Sequence, residues 1–297
     1  MIFPLRASGA SRSFRAAVQF TMAVLVSLLT YSSAQADEWT LALEAFEADD
    51  YVRAIQLMTP LADSGDVRAQ SKLRHMYAYG EGAPVDEERL AHYARLAAEQ
   101  GDCDSMRSMV LVYTRGEGVV QDFGKSAEWA QRAYDKGCRG AAYLLGLLYQ
   151  EGNGLPKDEA RAQQLFQEGA EAGDVEAQLR LGVVLTSSSS SLEDRLEGID
   201  WLRKAANQRH TLASLMLGVR SAYGSAKEIP LVEATLHAQI AMDAKCKDAV
   251  LIFSSLYARM SQQQKDQLLR DRKTFHATHP PRAKHDHLNL GEICETQ

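Results

Sequence analysis

The sequence is poor in several things, and each shortage excludes something. Three tryptophans in 297 residues, beside abundant alanine, favour helices over a β-sandwich. None of the four cysteines stands in a Cys-x-x-Cys pair, which argues against a zinc site or a dithiol redox centre. Gly-x-Ser-x-Gly, P-loop, His-Glu-x-x-His and dinucleotide motifs are all missing. After the N-terminal region no run of about 18 apolar residues occurs, so no later segment is expected to span a bilayer. Residues 1–36 hold Arg6, Arg12 and Arg15 but no acid, and losing them takes the net charge from −6 to −9. A chain that acidic lacks the basic footprint of a nucleic-acid binder.

The N-terminus reads as a processing signal. A basic stretch ends at Arg15, an apolar run covers residues 16–30, and Ala34-Gln35-Ala36 gives the small-residue pattern of a signal-peptidase site. No cysteine follows the apolar run directly, which argues against a lipoprotein. The expectation is a signal peptide over 1–36 and an exported chain, periplasmic or secreted, without stable membrane insertion after cleavage.

What is present is a period of 36 residues. Tyr77, Tyr113 and Tyr149 form one column; Gly80, Gly116 and Gly152 a second; Gly82, Gly118 and Gly154 a third. Asp86, Asp122, Asp158 and Asp194 add a fourth, Gly65, Gly101, Gly137 and Gly173 a fifth, and Tyr93, Trp129, Leu165 and Trp201 a sixth. Shared spacing across so many columns is the signature of tandem repeats. In 139–174, Ala142, Leu145, Leu148 and Tyr149 recur at helical spacing and give a first helix with one buried face. Gly152 and Gly154 stop it, Pro156 stiffens the turn, and Asp158 is placed to cap a second helix. Leu165, Phe166 and Ala170 line that second helix, and Gly173 ends it. Gly146, Gly182 and Gly218 fall inside first helices, where glycine costs about 1 kcal/mol relative to alanine. A close approach of neighbouring backbones is the expected reason.

These residues resemble the Sel-one-like repeat family, a branch of the tetratricopeptide-type helical repeats. The match is carried by 141–158 (AAYLLGLLYQEGNGLPKD), Tyr113–Asp122 (YTRGEGVVQD), Tyr77–Asp86 (YAYGEGAPVD) and the helix end Ala97-Ala98-Glu99-Gln100-Gly101. The resemblance implies an all-α, right-handed superhelical solenoid of antiparallel helix pairs, with its units lacking separate cores. Five repeats fit 67–246, after a helix pair over 37–66 and before capping helices over 247–275 and an irregular His-rich tail over 276–297. Departures fall mostly late. Arg74 and Val110 replace the helix glycine, Ser187–Ser191 replaces a glycine turn, and Pro230 stands in the capping-aspartate column. Only Gly224 survives in the fifth glycine turn. Arg209 and Lys245 stand where glycine ends a second helix. Pro60 should kink or end its helix, and Ser261 to Gln264 has capping-box spacing before a helix ending near Phe275.

In an oxidising compartment the four cysteines suggest two disulfides. At ~10 Å per helix layer, Cys138 and Cys246 are too far apart to bond, whereas Cys103 and Cys138 lie in turns of neighbouring repeats. Cys103–Cys138 and Cys246–Cys294 are therefore the expected pairs, with free thiols as the alternative.

With Leu73 and Tyr77 facing the core, the concave side should carry three positions per repeat. They are Lys72, His75 and Tyr79; Ser108, Leu111 and Arg115; Leu144, Leu147 and Glu151; Arg180, Val183 and Ser187; Met216, Val219 and Tyr223. The middle position is apolar in four of five repeats. That suits a strip gripping a peptide or helix between charges; the alternative is that this position is simply core. The expected function is a protein–protein interaction scaffold, adaptor or regulator, with no cofactor and no catalytic residues. Two alternatives stand beside it: a hydrolase or binder acting on cell-wall fragments, and metal binding through His276, His279, His285 and His287.

Overall fold

The computed structural model describes residues 38–187, 191–223 and 228–279. They contain fourteen helices and no strand. The chain divides between Gln121 and Asp122 into two compact bodies. Repetition alone gave no reason to expect a division, and it falls in the turn that leads from one helix of a repeat to the next. Residues 1–37, Ser188–Ser190, Gly224, His285, His287 and Cys294 lie outside the described residues, and with them the signal-peptide expectation.

The first body holds α1 (38–47), α2 (Tyr51–Asp63), α3 (Val67–Tyr79), α4 (Glu87–Glu99) and α5 (Cys103–Arg115). The second holds α6 (Phe123–Asp135), α7 (Ala141–Glu151), α8 (Glu159–Glu171), α9 (Val175–Leu185) and α10 (Leu192–Asn207). It continues with α11 (Thr211–Tyr223), α12 (Leu231–Asp243), α13 (Lys247–Ala258) and α14 (Gln262–Thr278). Within each body, a first helix packs on the second helix of its own repeat and on that of the repeat before, as α3 does on α4 and α2.

The caps follow the aspartate columns. Asp86 accepts from the Arg89 amide at 2.9 Å, and Asp158 from the Arg161 amide at 2.8 Å. Each such cap is worth about 1 kcal/mol. Asp66, Asp102, Asp122 and Asp174 do the same for α3, α5, α6 and α9. The amides of Asp86 and Asp158 themselves donate to the carbonyls of Tyr77 and Tyr149, at 3.1 and 2.9 Å, which closes the glycine turn. Pro60 does not end α2; it sits in the last turn, and the helix runs on to Asp63. Pro230 precedes α12 without a side-chain cap, and Ser191 and Ser261 form full capping boxes.

The second glycine of the turn is a lock. A Cβ on Gly118 would lie 2.1 Å from the Glu87 carbonyl oxygen, and one on Gly154 2.0 Å from that of Phe123. Glu87 and Phe123 are the first residues of α4 and α6, so the turn of each repeat seats on the start of the preceding second helix. The helix-interior glycines meet side chains as well as the backbone that was expected. A Cβ on Gly146 would lie 2.6 Å from the Phe166 ring, and one on Gly182 2.8 Å from Leu202. They make room for side chains of their own repeat's second helix, and at Gly182 also for backbone, since its Cβ would lie 2.9 Å from the Gly198 carbonyl oxygen. Where Arg74 and Val110 replace them, the residues corresponding to Phe166 are Ala94 and Ala130.

Candidate functional site

The first helices position the groove candidates. In the first body, Lys72 is half-buried, and its ammonium lies 4.2 Å from the centre of the Phe46 ring. Burial lowers its pKa. His75 sits 4.7 Å ring to ring from Tyr79, with Nδ1 3.2 Å from Glu81 Oε2. Phe46 meets Tyr51 edge-on at 5.3 Å. The candidates on α3 therefore belong to an aromatic cluster bearing charge of both signs. On α5, Leu111 is partly exposed and Arg115 points outward to Glu117 at 3.1 Å. Ser108 accepts from Arg74 Nη1 at 2.7 Å, so Arg74 reaches sideways from α3 to α5, and burial lowers its pKa too.

In the second body, Leu147 on α7 and Val183 on α9 are partly exposed and pack against core clusters. Glu151 is exposed, and Arg180 of α9 bonds the half-buried Tyr143 of α7, whose pKa burial raises. On α11, Met216 packs against the core, whereas Val219 and Tyr223 are exposed, Tyr223 by 74%. Ser187 is exposed just beyond α9. Leu144 departs from the expectation. It is 3% exposed and belongs to the core, because α7 is apolar around most of its circumference and such a helix is buried on more than one side. The middle column, His75, Leu111, Leu147, Val183 and Val219, is buried at none of its five positions.

Sequence reasoning missed a glutamine ladder. Gln70 donates to the Ala62 carbonyl at 3.0 Å and accepts from Gln100 at 2.8 Å, and Gln100 also donates to the Gly65 carbonyl. In the second body Gln178 and Gln208 repeat the pattern, at 3.2 and 2.9 Å. Each pair lies three periods after its counterpart, a signal that was available in the sequence.

The tail histidines also differ from expectation. The helix ends at Thr278, not near Phe275, so His276 lies inside α14. His276 Nε2 is 3.6 Å from Asp243, and His279 stacks on Phe275 at 4.4 Å. Both imidazoles are held by the fold and not carried on a free strand. Among the described residues, no group of three His, Cys, Asp or Glu side chains is arranged to hold a metal ion. Cys103, Cys138 and Cys246 are all disulfide-bonded. A cleft of about 380 Å³ in the second body lies beside Cys138, but its Tyr134 hydroxyl is taken by Glu168 at 2.5 Å and Arg139 by the Gly173 carbonyl. Among the described residues, no helix is long and apolar enough to cross a membrane.

The family model for the Sel1 repeat matches residues 67–102, 111–138, 140–174 and 175–210. The chain carries Sel1 repeats. Among solved structures, it is similar to a Sel1 repeat protein from Oxalobacter formigenes. The TM-score is 0.65 at 21% identity, over 79% of this chain and 98% of that one. It is also similar to c5321, a protective antigen of uropathogenic Escherichia coli strains with an SLR fold, at TM-score 0.60 and 24% identity. That match takes in 82% of this chain but 53% of c5321, so this chain spans about half of that protein's length. No curated protein matches the chain. Sel1 repeat proteins are in general protein-interaction scaffolds.

Proposed function

We propose that this Sel1 repeat protein is an interaction scaffold that grips a peptide or helix of another protein along the outward side of its first helices. The observation that carries this reading is the middle column. A purely structural position would be buried, yet none of its five residues is, and four of them are apolar. Partly exposed apolar side chains on preformed helices lose little entropy on binding, and the charges beside them set register. Arg115, Glu151 and Arg180 supply such charges. The repeats provide the rigidity and the partner supplies whatever chemistry follows.

The scaffold acts outside the cytoplasm in this proposal. Disulfide linkage of three cysteines supports an oxidising compartment, as does the leader-like sequence before Asp37. The pairing proposed is Cys103–Cys138 with Cys246–Cys294, which non-reducing peptide mapping would test.

The groove is tested with a photo-crosslinking residue at Leu111 or Leu147, compared with one at the exposed Arg95 on α4. Crosslinks to a single partner from the groove positions alone, lost in Leu147→Asp with unchanged helical circular dichroism, are expected. Equal labelling from Arg95, or full retention in Leu147→Asp, would remove the groove from the account.

A further inference from the structure

The sixth repeat column holds Tyr93, Trp129, Leu165 and Trp201, and one period later a histidine, His237 on α12. This imidazole is 5% exposed and meets the Phe275 ring of α14 edge-on, at 6.5 Å and 82°. Among the described residues its Nδ1 has no hydrogen-bond partner. A titratable ring thus takes the place of a core aromatic, at the contact where the last described helix docks.

That docking is thin. Of the seventeen residues of α14 only Leu268 and Phe275 are buried. Leu268 joins Val232 of α12 and Met260, which follows α13, in a small cluster, and Arg272 reaches Asp243 at 2.9 Å. Phe275 is one of the two apolar anchors, and it rests against His237.

We propose that His237 makes α14 an acid-released latch: a proton on the imidazole drives α14 off α12 while the rest of the second body stays folded. A neutral imidazole needs one acceptor at most, whereas the imidazolium needs two and carries a charge. At Nδ1 no acceptor is provided among the described residues. Glu233, one turn earlier on α12, favours the proton, but it is already held by Arg203 of α10 through two contacts at 2.5 and 3.2 Å. Arg203 itself opposes the proton. Among the described residues these are the two charges that act on the ring. On α14, His276 and Arg272 are turned to Asp243, and Arg209 from the turn after α10 lies 5.9 Å from the Phe275 ring. Release lets water reach the imidazole.

The sign follows from burial, which holds the pKa near 4, below the ordinary 6.5. Docking is strongest above 6.5, weakens as the pH falls toward 4, and levels off below that. The linkage gives a loss of docking of about thirtyfold at pH 5 and over ~100-fold by pH 4.

Hydrogen exchange of the full chain, read by mass spectrometry from pH 7.5 to 4 and corrected for intrinsic rates, tests this. Peptides of α14 should lose protection by those factors while peptides of α7–α9 keep theirs. His237→Phe should abolish the acid response, and His237→Gln, which keeps polarity without a proton site, should do so even if the phenylalanine is poorly accommodated. An unchanged α14 between pH 7 and 4, an equal acid response in both variants, or loss of protection by all helices together would each overturn the proposal.

Discussion

Two kinds of glycine hold the repeats, and the later repeats treat them differently. Gly137 and Gly173 end second helices at φ of 75° and 83°, with open space where a Cβ would go. Gly118 and Gly154 also have positive φ, but a Cβ there would run into the backbone of the preceding second helix. Later in the chain the first kind is replaced by Arg209 and Lys245, and both adopt the same left-handed conformation, at φ 65°. The second kind is glycine at 82, 118 and 154, and the column continues with Ser190 and Ala226, which lie outside the described residues. After α9 the sequence exchanges the whole turn for a serine run that ends in the Ser191 capping box. A position that asks only for a backbone angle tolerates a side chain; at Gly118 and Gly154 a side chain would have to move the turn or the helix it seats on. Where second helices end, the degeneracy read from the sequence is therefore loss of residue identity with retention of backbone geometry.

The sharpest way to break this comparison is Gly118→Ala. Its Cβ would fall 2.1 Å from a backbone oxygen, and the turn or α4 must shift. The expected loss is above about 3 kcal/mol, from overpacking added to the left-handed strain. Gly137→Ala carries the strain alone and should lose about 1 kcal/mol. Urea midpoints of the two variants measure the difference, and equal losses would refute the distinction.

The helix-interior column offers an intermediate case. Gly146 faces Phe166, whereas one period earlier the same two columns hold Val110 and Ala130. Phe166→Ala should cost about 3–5 kcal/mol through the cavity it leaves. Gly146→Val alone should cost about 2 kcal/mol through overpacking. Combined, the two should recover more than 1 kcal/mol of the summed loss, because the valine fills the hole. Additive losses would show that the glycine serves something other than that ring.

The period made much of this legible. Columns of Tyr, Gly and Asp fixed the helix pairs and their caps, because capping and left-handed turns depend on residues a few positions apart. Burial of single groove residues was less legible. Leu144 and Leu147 look alike in sequence, yet one is core and the other is not, since that depends on which side of α7 its neighbours cover. Arg74 was visible as a departure, but its reach to Ser108 depends on the next repeat. The end of α14 was misread because Pro280 and Pro281 drew attention to an irregular tail, while the Thr278 hydroxyl, bonded to the Thr274 carbonyl at 2.9 Å, sits on a further turn of helix. His237 stands one period after Trp201, so its place in an aromatic column is readable from the sequence.

In the later repeats, removing the capping box should show what replaced the glycine turn. Ser191→Ala takes away the hydroxyl that accepts from the Asp194 amide at 3.0 Å and frays the start of α10. The expected cost is about 1 kcal/mol, well below that of Gly118→Ala, because a cap is one hydrogen bond and the glycine lock is a steric contact between two elements. A cost near that of Gly118→Ala would make the serine turn an equivalent lock.

The smallest effect runs in the opposite direction. Lys245 sits at φ 65° in the turn between α12 and α13, its side chain exposed. Glycine takes that angle without a Cβ clash, so Lys245→Gly should stabilise the chain, by at most about 1 kcal/mol once the greater freedom of glycine in the unfolded state is set against the relieved strain. The reverse change, Gly173→Lys, should destabilise by a similar amount, since its open surroundings leave room for the side chain. Arg209 is the poorer site for the experiment, because its guanidinium also donates to the His279 carbonyl and would carry a lost contact into the result. If Lys245→Gly proved destabilising, the lysine would be holding something beyond the backbone angle, and the rule that these turns demand only a conformation would have to be narrowed to the glycine-bearing repeats.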